Sequence, residues 1–397
     1  MAESIRDKVA IVGMGCTKFG EQWVKSASQL VVDAATEAFQ DAGIEAKDVQ
    51  AGWVGTTDVV TSGMAGLGLS APLRLQYKPI TRVENMCATG SDAMRNAAYA
   101  VAAGVYDIVL ALGFDKLKDT GWAGLGDVPF PSTSRGIIGS QGLSGPSAFA
   151  LLATAYFAKY KLSPQEGKRM IGLISVKSHR NGAKHPKAHL RREVTIEQVM
   201  NAPIIAWPLG LFDCCGVTDG AAAAILVRAD MAKKYRPDPI RIKALQISVG
   251  QQQGFCRSDF EYTSVYETVH AGKRAYVEAG IKNPRKEISM AQVHDCFSIT
   301  EAVIMEDLEF SARGHVRDDI EAGFFELTGG LPTQTDGGLK SFGHPIGASG
   351  LRMMYEVYKQ LQGKCGDRQL KNPKLGLTHN LGGFPATATV SCCIAGL

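Results

Sequence analysis

Residues 80–113 read ITRVENMCATGSDAMRNAAYAVAAGVYDIVLALG. The opening four residues have the short, β-rich texture of a strand. Residues 87–103 are Ala-rich and predict a helix, and Gly104 supplies its stop signal. DIVLALG, residues 107–113, is an unbroken apolar run closed by glycine, the mark of a strand buried on both faces. Strand, helix and strand in this order predict an α/β layer architecture.

The same texture extends in both directions. Residues 8–15 (KVAIVGMG) read as a buried strand, residues 26–42 as a helix stopped by Gly43, and residues 53–56 as another short strand. From Lys116 the pattern breaks. Residues 116–208 hold irregular glycine-rich stretches, such as residues 121–145, and several helices, clearest at residues 148–159. GAAAAILV at residues 220–227 resumes the sheet. The order then repeats: strand 240–249, helix 265–279, strand 290–294, helix 299–310, helix 347–362 behind a Gly-His-Pro turn, and a terminal strand pair at 374–381 and 386–394. This predicts an N-terminal half (residues 1–115 and 209–238), an inserted loop domain (116–208) and a C-terminal half (239–397).

Composition excludes several classes. Hydrophobic residues at 45% and a formal charge of +4 describe a globular chain, and they argue against disorder and against a global field for nucleic acid. The nine cysteines are odd in number and without CxxC spacing, so neither a disulfide framework nor a zinc site is expected. No apolar run is long enough for a membrane span, the first residues lack a signal-peptide pattern, and the chain ends AGL. The expected compartment is the cytoplasm.

Five segments carry candidate chemistry. Cys87 sits between a strand and a helix start, where the helix dipole and free N–H groups favour a thiolate and can cradle an oxyanion. His294-Asp295-Cys296 ends a strand, so one side chain could donate to an oxyanion while the other moves a proton. His344 lies in SFGHPIGASG (341–350), whose small residues admit close approach of backbone and substrate. HNLGGF (379–384) reads either as a plain tight turn between the last two strands or as backbone N–H groups near a ligand. KSHRNGAKHPKAHLRR (177–192) holds six Lys/Arg without an acid. It is either a solvated face or a site for an anionic ligand, with Lys177, Arg180, Lys184, Lys187, Arg191 and Arg192 as candidates.

Together CATGS at Cys87, LALGFDK after residue 109, Cys214-Cys215 before TDGAAAAIL, HDCFS, GHPIGASG and HNLGG resemble the thiolase superfamily. They resemble its sterol-carrier-protein-2-type branch in particular, over nearly the whole chain. The resemblance implies two βαβαβαββ halves in a five-layered α/β/α/β/α unit with an inserted loop domain. It implies a Cys87 nucleophile, His344 as its activator, and an oxyanion hole served by His294 and His344. Cys296 is then the acid/base thiol, standing in for the cysteine that other thiolases carry at the position of Asn380. The backbone N–H groups of Cys87 and Gly382 would form a second oxyanion hole.

Coenzyme A is then a substrate rather than a bound cofactor, no metal is required, and 3-oxoacyl-CoA cleavage or the reverse Claisen condensation follows, as in β-oxidation. The resemblance also implies a homodimer, and a small zinc-binding OB-fold partner subunit. Two competing readings are a retro-aldol lyase acting on CoA thioesters, which would not need Cys87, and an acyl-CoA or lipid carrier. For the carrier, the absence of a sterol-carrier segment after the thiolase-like region is unfavourable.

Overall fold

A computed structural model describes residues 4–57, 63–120, 144–251, 260–385 and 387–397. Its strands are β1 (Val9–Cys16), β2 (Ala51–Gly55), β3 (Ile80–Val83), β4 (Ile108–Lys116), β5 (Ile204–Ala206), β6 (Leu209–Gly210), β7 (Asp219–Arg228), β8 (Ile240–Val249), β9 (Met290–Gln292), β10 (Leu375–Phe384) and β11 (Thr387–Gly396). The helices that frame the site are α1 (Ala27–Ala42), α2 (Thr89–Ala102), α3 (Gly145–Lys159), α4 (Pro164–Ala183), α5 (Tyr266–Ala279), α6 (Ser298–Asp307) and α7 (Ile346–Leu361).

Nine strands form one continuous sheet in the order β3-β2-β4-β7-β1-β8-β11-β10-β9, and β5 and β6 pair separately. Antiparallel pairing of β1 with β8 joins the two halves, with Ala10 opposite Arg241 and Ile11 opposite Ile240. Counted within its own half, the N-terminal set reads 3-2-4-5-1. The C-terminal set has the same order, but its third strand is reduced to one parallel bridge between Ala291 and Thr333. The architectural repeat expected from the sequence is therefore present in the strand order.

Layering follows from which faces are apolar. The residues of β1, β4 and β7 are almost all buried, as a sheet covered on both faces requires. Helix α1 lies on one side of this half-sheet and α5 lies on β8 and β11 of the other. Helices α2 and α7 pack on each other, and α7 touches β4 and β7 as well as β9, β10 and β11. The order α1, half-sheet, α2 with α7, half-sheet, α5 gives the five expected layers. Helix α1 starts with a reciprocal Ser26–Gln29 capping box and stops at Gly43 in the left-handed conformation (φ 68°). Helix α4 packs across α6 and covers the strand-end loops of the C-terminal half. Of the glycine-rich stretch 121–145, residues 121–143 lie outside the described residues.

One boundary differs in a way that matters. Strand β10 runs through Gly382 and Gly383 to Phe384, paired in register with β11, so the glycines are not a turn between the last strands. Gly382 is small because a Cβ there would stand 2.4 Å from the Asn85 carbonyl oxygen and 3.0 Å from the Cys87 nitrogen.

Candidate active site

Cys87 is held on a tight strand-to-helix turn. Met86 before it adopts φ 51°, a left-handed conformation that costs energy in a residue with a Cβ. The turn is pinned by Ala88 N–H to Asn85 O (3.0 Å), Asn85 N–H to Thr89 Oγ1 (2.9 Å) and Asn85 Nδ2 to Asp92 Oδ2 (2.7 Å). Helix α2 starts two residues later, so the thiol stands at a helix entrance as its sequence context predicts.

Its charge state differs from that expectation. Burial pushes the Cys87 thiol up to about 12, with Asp115 and Glu84 adding in the same direction. The backbone N–H groups of Gly383 and of Cys87 itself face the sulfur and pull the other way, without reversing the shift. Desolvation of the charged form outweighs the dipole when no substrate is present.

His344 is placed by the turn that starts α7. Ser349 donates its hydroxyl hydrogen to the Pro345 carbonyl oxygen (2.7 Å), so its oxygen accepts from His344 Nδ1 at 2.6 Å. Nδ1 therefore carries the proton, and among the described residues the buried Nε2 has no hydrogen-bond partner. Burial, with the Arg352 guanidinium nearby, lowers His344 to about 3. A neutral imidazole with a bare Nε2 is a general base waiting for a proton.

His294 lies just beyond β9 and is almost fully buried, and its Nδ1 also lacks a partner among the described residues. The His294 and His344 rings meet edge to face at 5.3 Å. One side-chain donor atom from each of Cys87, His294 and His344 lies within 4.8 Å of the others. The same three donors would suit a soft metal ion. Cys296 is buried, its thiol pushed well above its ordinary range by burial and by the neighbouring Cys215 and Cys87. Its carbonyl accepts the Cys215 N–H at 2.8 Å, which seats the Cys214-Cys215 turn on the HDCF loop.

The remaining candidates divide. Side chains alternate along β10. His379 bonds Thr268 of α5 (2.9 Å), while Asn380 faces α2 and α7 and is bonded there by Ser91. Of the six basic residues, Lys177 is buried and paired with Glu301, and Lys187 pairs with Glu37 (2.6 Å). Lys177 is thus committed to the interior, whereas Lys187 is part-exposed and held in its ion pair with Glu37. Arg180 is half-exposed beside Glu326, and Lys184, Arg191 and Arg192 are exposed.

Sequence reasoning missed four contributors: Gly383, Ser349, Asp115 and Arg352. Asp115 is fully buried at the end of β4. It accepts from Thr56 Oγ1 (2.7 Å), Thr57 N–H (3.0 Å) and the Gly347 N–H in the first turn of α7 (2.6 Å). The available signal is an acid closing an otherwise apolar strand, in LALGFDK.

A doubly wound pair of halves with a helix-entrance cysteine facing two histidines defines a class of acyl-transfer enzyme built on cysteine. Residues 9–230 match the family described as "Thiolase, N-terminal domain", and residues 250–394 match "Thiolase C-terminal domain-like". The chain is 36% identical over 392 residues to an acetyl-CoA acetyltransferase of Methanothermobacter thermautotrophicus, covering 96% of this chain and 98% of the other. It is 30% identical to sterol carrier protein 2 of Bos taurus (95% and 70% covered) and to the benzoylsuccinyl-CoA thiolase subunit BbsB of Thauera aromatica (95% and 95%). Among solved structures it superposes on the Ltp2-ChsH2(DUF35) aldolase with a TM-score of 0.84 at 26% identity, covering 98% of each chain. The chain belongs to the thiolase family. Within it, this is an acyltransferase of the thiolase type, akin to the sterol-carrier-protein-2 branch.

Proposed function

We propose that the protein exchanges acyl groups between a 3-oxoacyl-CoA and CoA through an acyl-enzyme on Cys87. The observation that carries this reading is the His344 imidazole, its Nε2 bare among the described residues, grouped with the Cys87 sulfur at a buried position where both groups rest uncharged. His344 Nε2 takes the Cys87 proton as the sulfur attacks the 3-oxo carbon, so the thiolate exists only during attack. The N–H groups of Cys87 and Gly383 receive the oxyanion that forms, a reading supported by their facing the sulfur and one that puts Gly383 where Gly382 was expected. The bond between C2 and C3 then breaks and leaves an acyl group on Cys87 and an enolate on the departing thioester. His344, now protonated, and His294 donate to the enolate oxygen. Cys296 gives its proton to the enolate carbon. CoA thiol then returns a proton to Cys296 and attacks the acyl-enzyme, and the released Cys87 sulfur takes its proton back from His344. Run backwards, the steps make a Claisen condensation.

Of the six basic candidates, the exposed Lys184, Arg191 and Arg192 meet the CoA phosphates. Subunits pair as a homodimer, and a small partner resembling the DUF35 chain named with the solved aldolase assists the acyl-CoA site. A retro-aldol lyase is the second reading, favoured by the same aldolase neighbour. Incubation with acetoacetyl-CoA and CoA tests the assignment. Thiolysis that survives a chelator supports it. Cleavage of a 3-hydroxyacyl-CoA without CoA, retained in Cys87→Ala, supports the lyase. Loss of activity with the chelator favours a metal site at Cys87, His294 and His344.

A further inference from the structure

Asp295 stands between His294 and Cys296, with its side chain fully buried. Its Oδ1 accepts the Leu339 N–H at 2.6 Å, and its Oδ2 lies 3.2 Å from Lys340 Nζ. Gly338 makes room for this approach. A Cβ there would stand 2.3 Å from Asp295 Oδ2, and its φ of 65° is itself left-handed. Lys340 belongs to the one-turn helix Gly338–Ser341, four residues before His344. Asp295 therefore ties the loop carrying His294 and Cys296 to the loop carrying His344.

The tie is backed by further buried charge. Glu301 Oε2 lies 3.9 Å from Lys340 Nζ, and Glu301 also pairs with Lys177, whose ammonium reaches Thr333 Oγ1 at 2.5 Å. Two acids and two lysines, none with a side chain more than 5% exposed, balance one another. A buried ion pair is a poor source of net stability compared with an apolar pair of similar volume. Among the described residues neither Lys340 Nζ nor Asp295 Oδ2 makes a hydrogen bond, so the pair acts as a charge contact. Beside it, the directional Leu339 N–H bond to Asp295 Oδ1 can fix the register of two elements.

We infer that Asp295 and Lys340 are positioning residues: their ion pair sets the separation of the two loops so that His294, Cys296 and His344 converge on Cys87. This rests on the thiolase reading. The double variant Asp295→Asn/Lys340→Met removes both charges together. Its amide oxygen can still accept the Leu339 N–H, so neither member of the pair is left charged without the other. Gly338→Ala keeps both charges and wedges them apart, and it serves if the double variant does not fold. The expected result for each folded variant is a thiolysis kcat lowered at least about tenfold, with the KM for CoA within about threefold of wild type. A kcat within about twofold of wild type overturns the inference, as does a rise in KM that accounts for the whole loss. The wild type is examined in parallel by mass spectrometry for an acyl adduct on Cys87. Wild-type turnover without that adduct overturns the thiolase reading and this inference with it.

Discussion

Ser91 donates its hydroxyl to Asn380 Oδ1 at 2.8 Å across the buried seam between α2 and β10, and Asn380 Nδ2 points at Met353 Sδ. The amide oxygen thus joins the two halves, the amide nitrogen is used on α7 within the C-terminal half, and neither is spent on the Cys87 sulfur.

Proton transfer is proposed for Cys296, and two variants separate the roles. Cys296→Ala is expected to lose exchange of the acetyl-CoA α-protons with deuterated solvent while Cys87 can still be acylated. Asn380→Ala is expected to keep exchange in the folded protein and to lower stability by about 1–3 kcal/mol, because Ser91 is left unpaired. Nuclear magnetic resonance of the exchange and a denaturant titration check both. Exchange lost in Asn380→Ala and kept in Cys296→Ala would reverse the assignment.

His344→Ala removes both the base for Cys87 and a donor to the enolate. A fall in kcat of at least about a hundredfold is expected. With the thiol at about 12, iodoacetamide labelling of the free enzyme should rise through the alkaline range rather than level off near pH 8.

Acid stability follows from the buried histidines. His179 is lowered to about 4, and His185, His344 and His379 to about 3, chiefly by burial. For a histidine lowered on folding, the unfolded chain binds more protons between the two values. Stability is therefore full above about pH 6.5 and is lost as pH falls toward 4, by at most about 1.4 kcal/mol per pH unit for each histidine. Asp307, raised to about 6 by burial, acts in the opposite sense between about pH 4 and 6. A melting temperature that falls from pH 7 to pH 5 is expected. A flat or rising profile would contradict the buried neutral histidines.

The contact between the two halves has no room for a methyl group. A Cβ on Gly113 would stand 2.0 Å from the Gly347 carbonyl oxygen. Gly113→Ala should cost about 3 kcal/mol or more through overpacking. Gly216→Ala, with nothing within 4 Å of the added carbon, should fall within about 0.5 kcal/mol of wild type in the same urea titration.

Much of this is legible in the chain because apolar runs and glycine stops report local structure directly. The strand at residues 240–249 and the helix stopped by Gly280 are found where the pattern places them. What escapes depends on distant partners. Gly382 and Gly383 carry the letters of a turn, yet Gly382 is glycine because the Cys87 turn lies against it. Lys177 reads as part of a basic face because its acid, Glu301, is 124 positions away. The helix-entrance position of Cys87 suggests a ready thiolate. The depth of burial, which sets the opposite charge state, is a tertiary property.

The central claim is that Cys87 carries the acyl group. Brief mixing of the protein with acetoacetyl-CoA, followed by acid quench, proteolysis and mass spectrometry, tests it most directly. An acetyl adduct is expected on the peptide containing Cys87, absent in Cys87→Ser, and removed from the wild type by added CoA. Turnover of the substrate with no adduct on Cys87, or wild-type rates in Cys87→Ser, would contradict it.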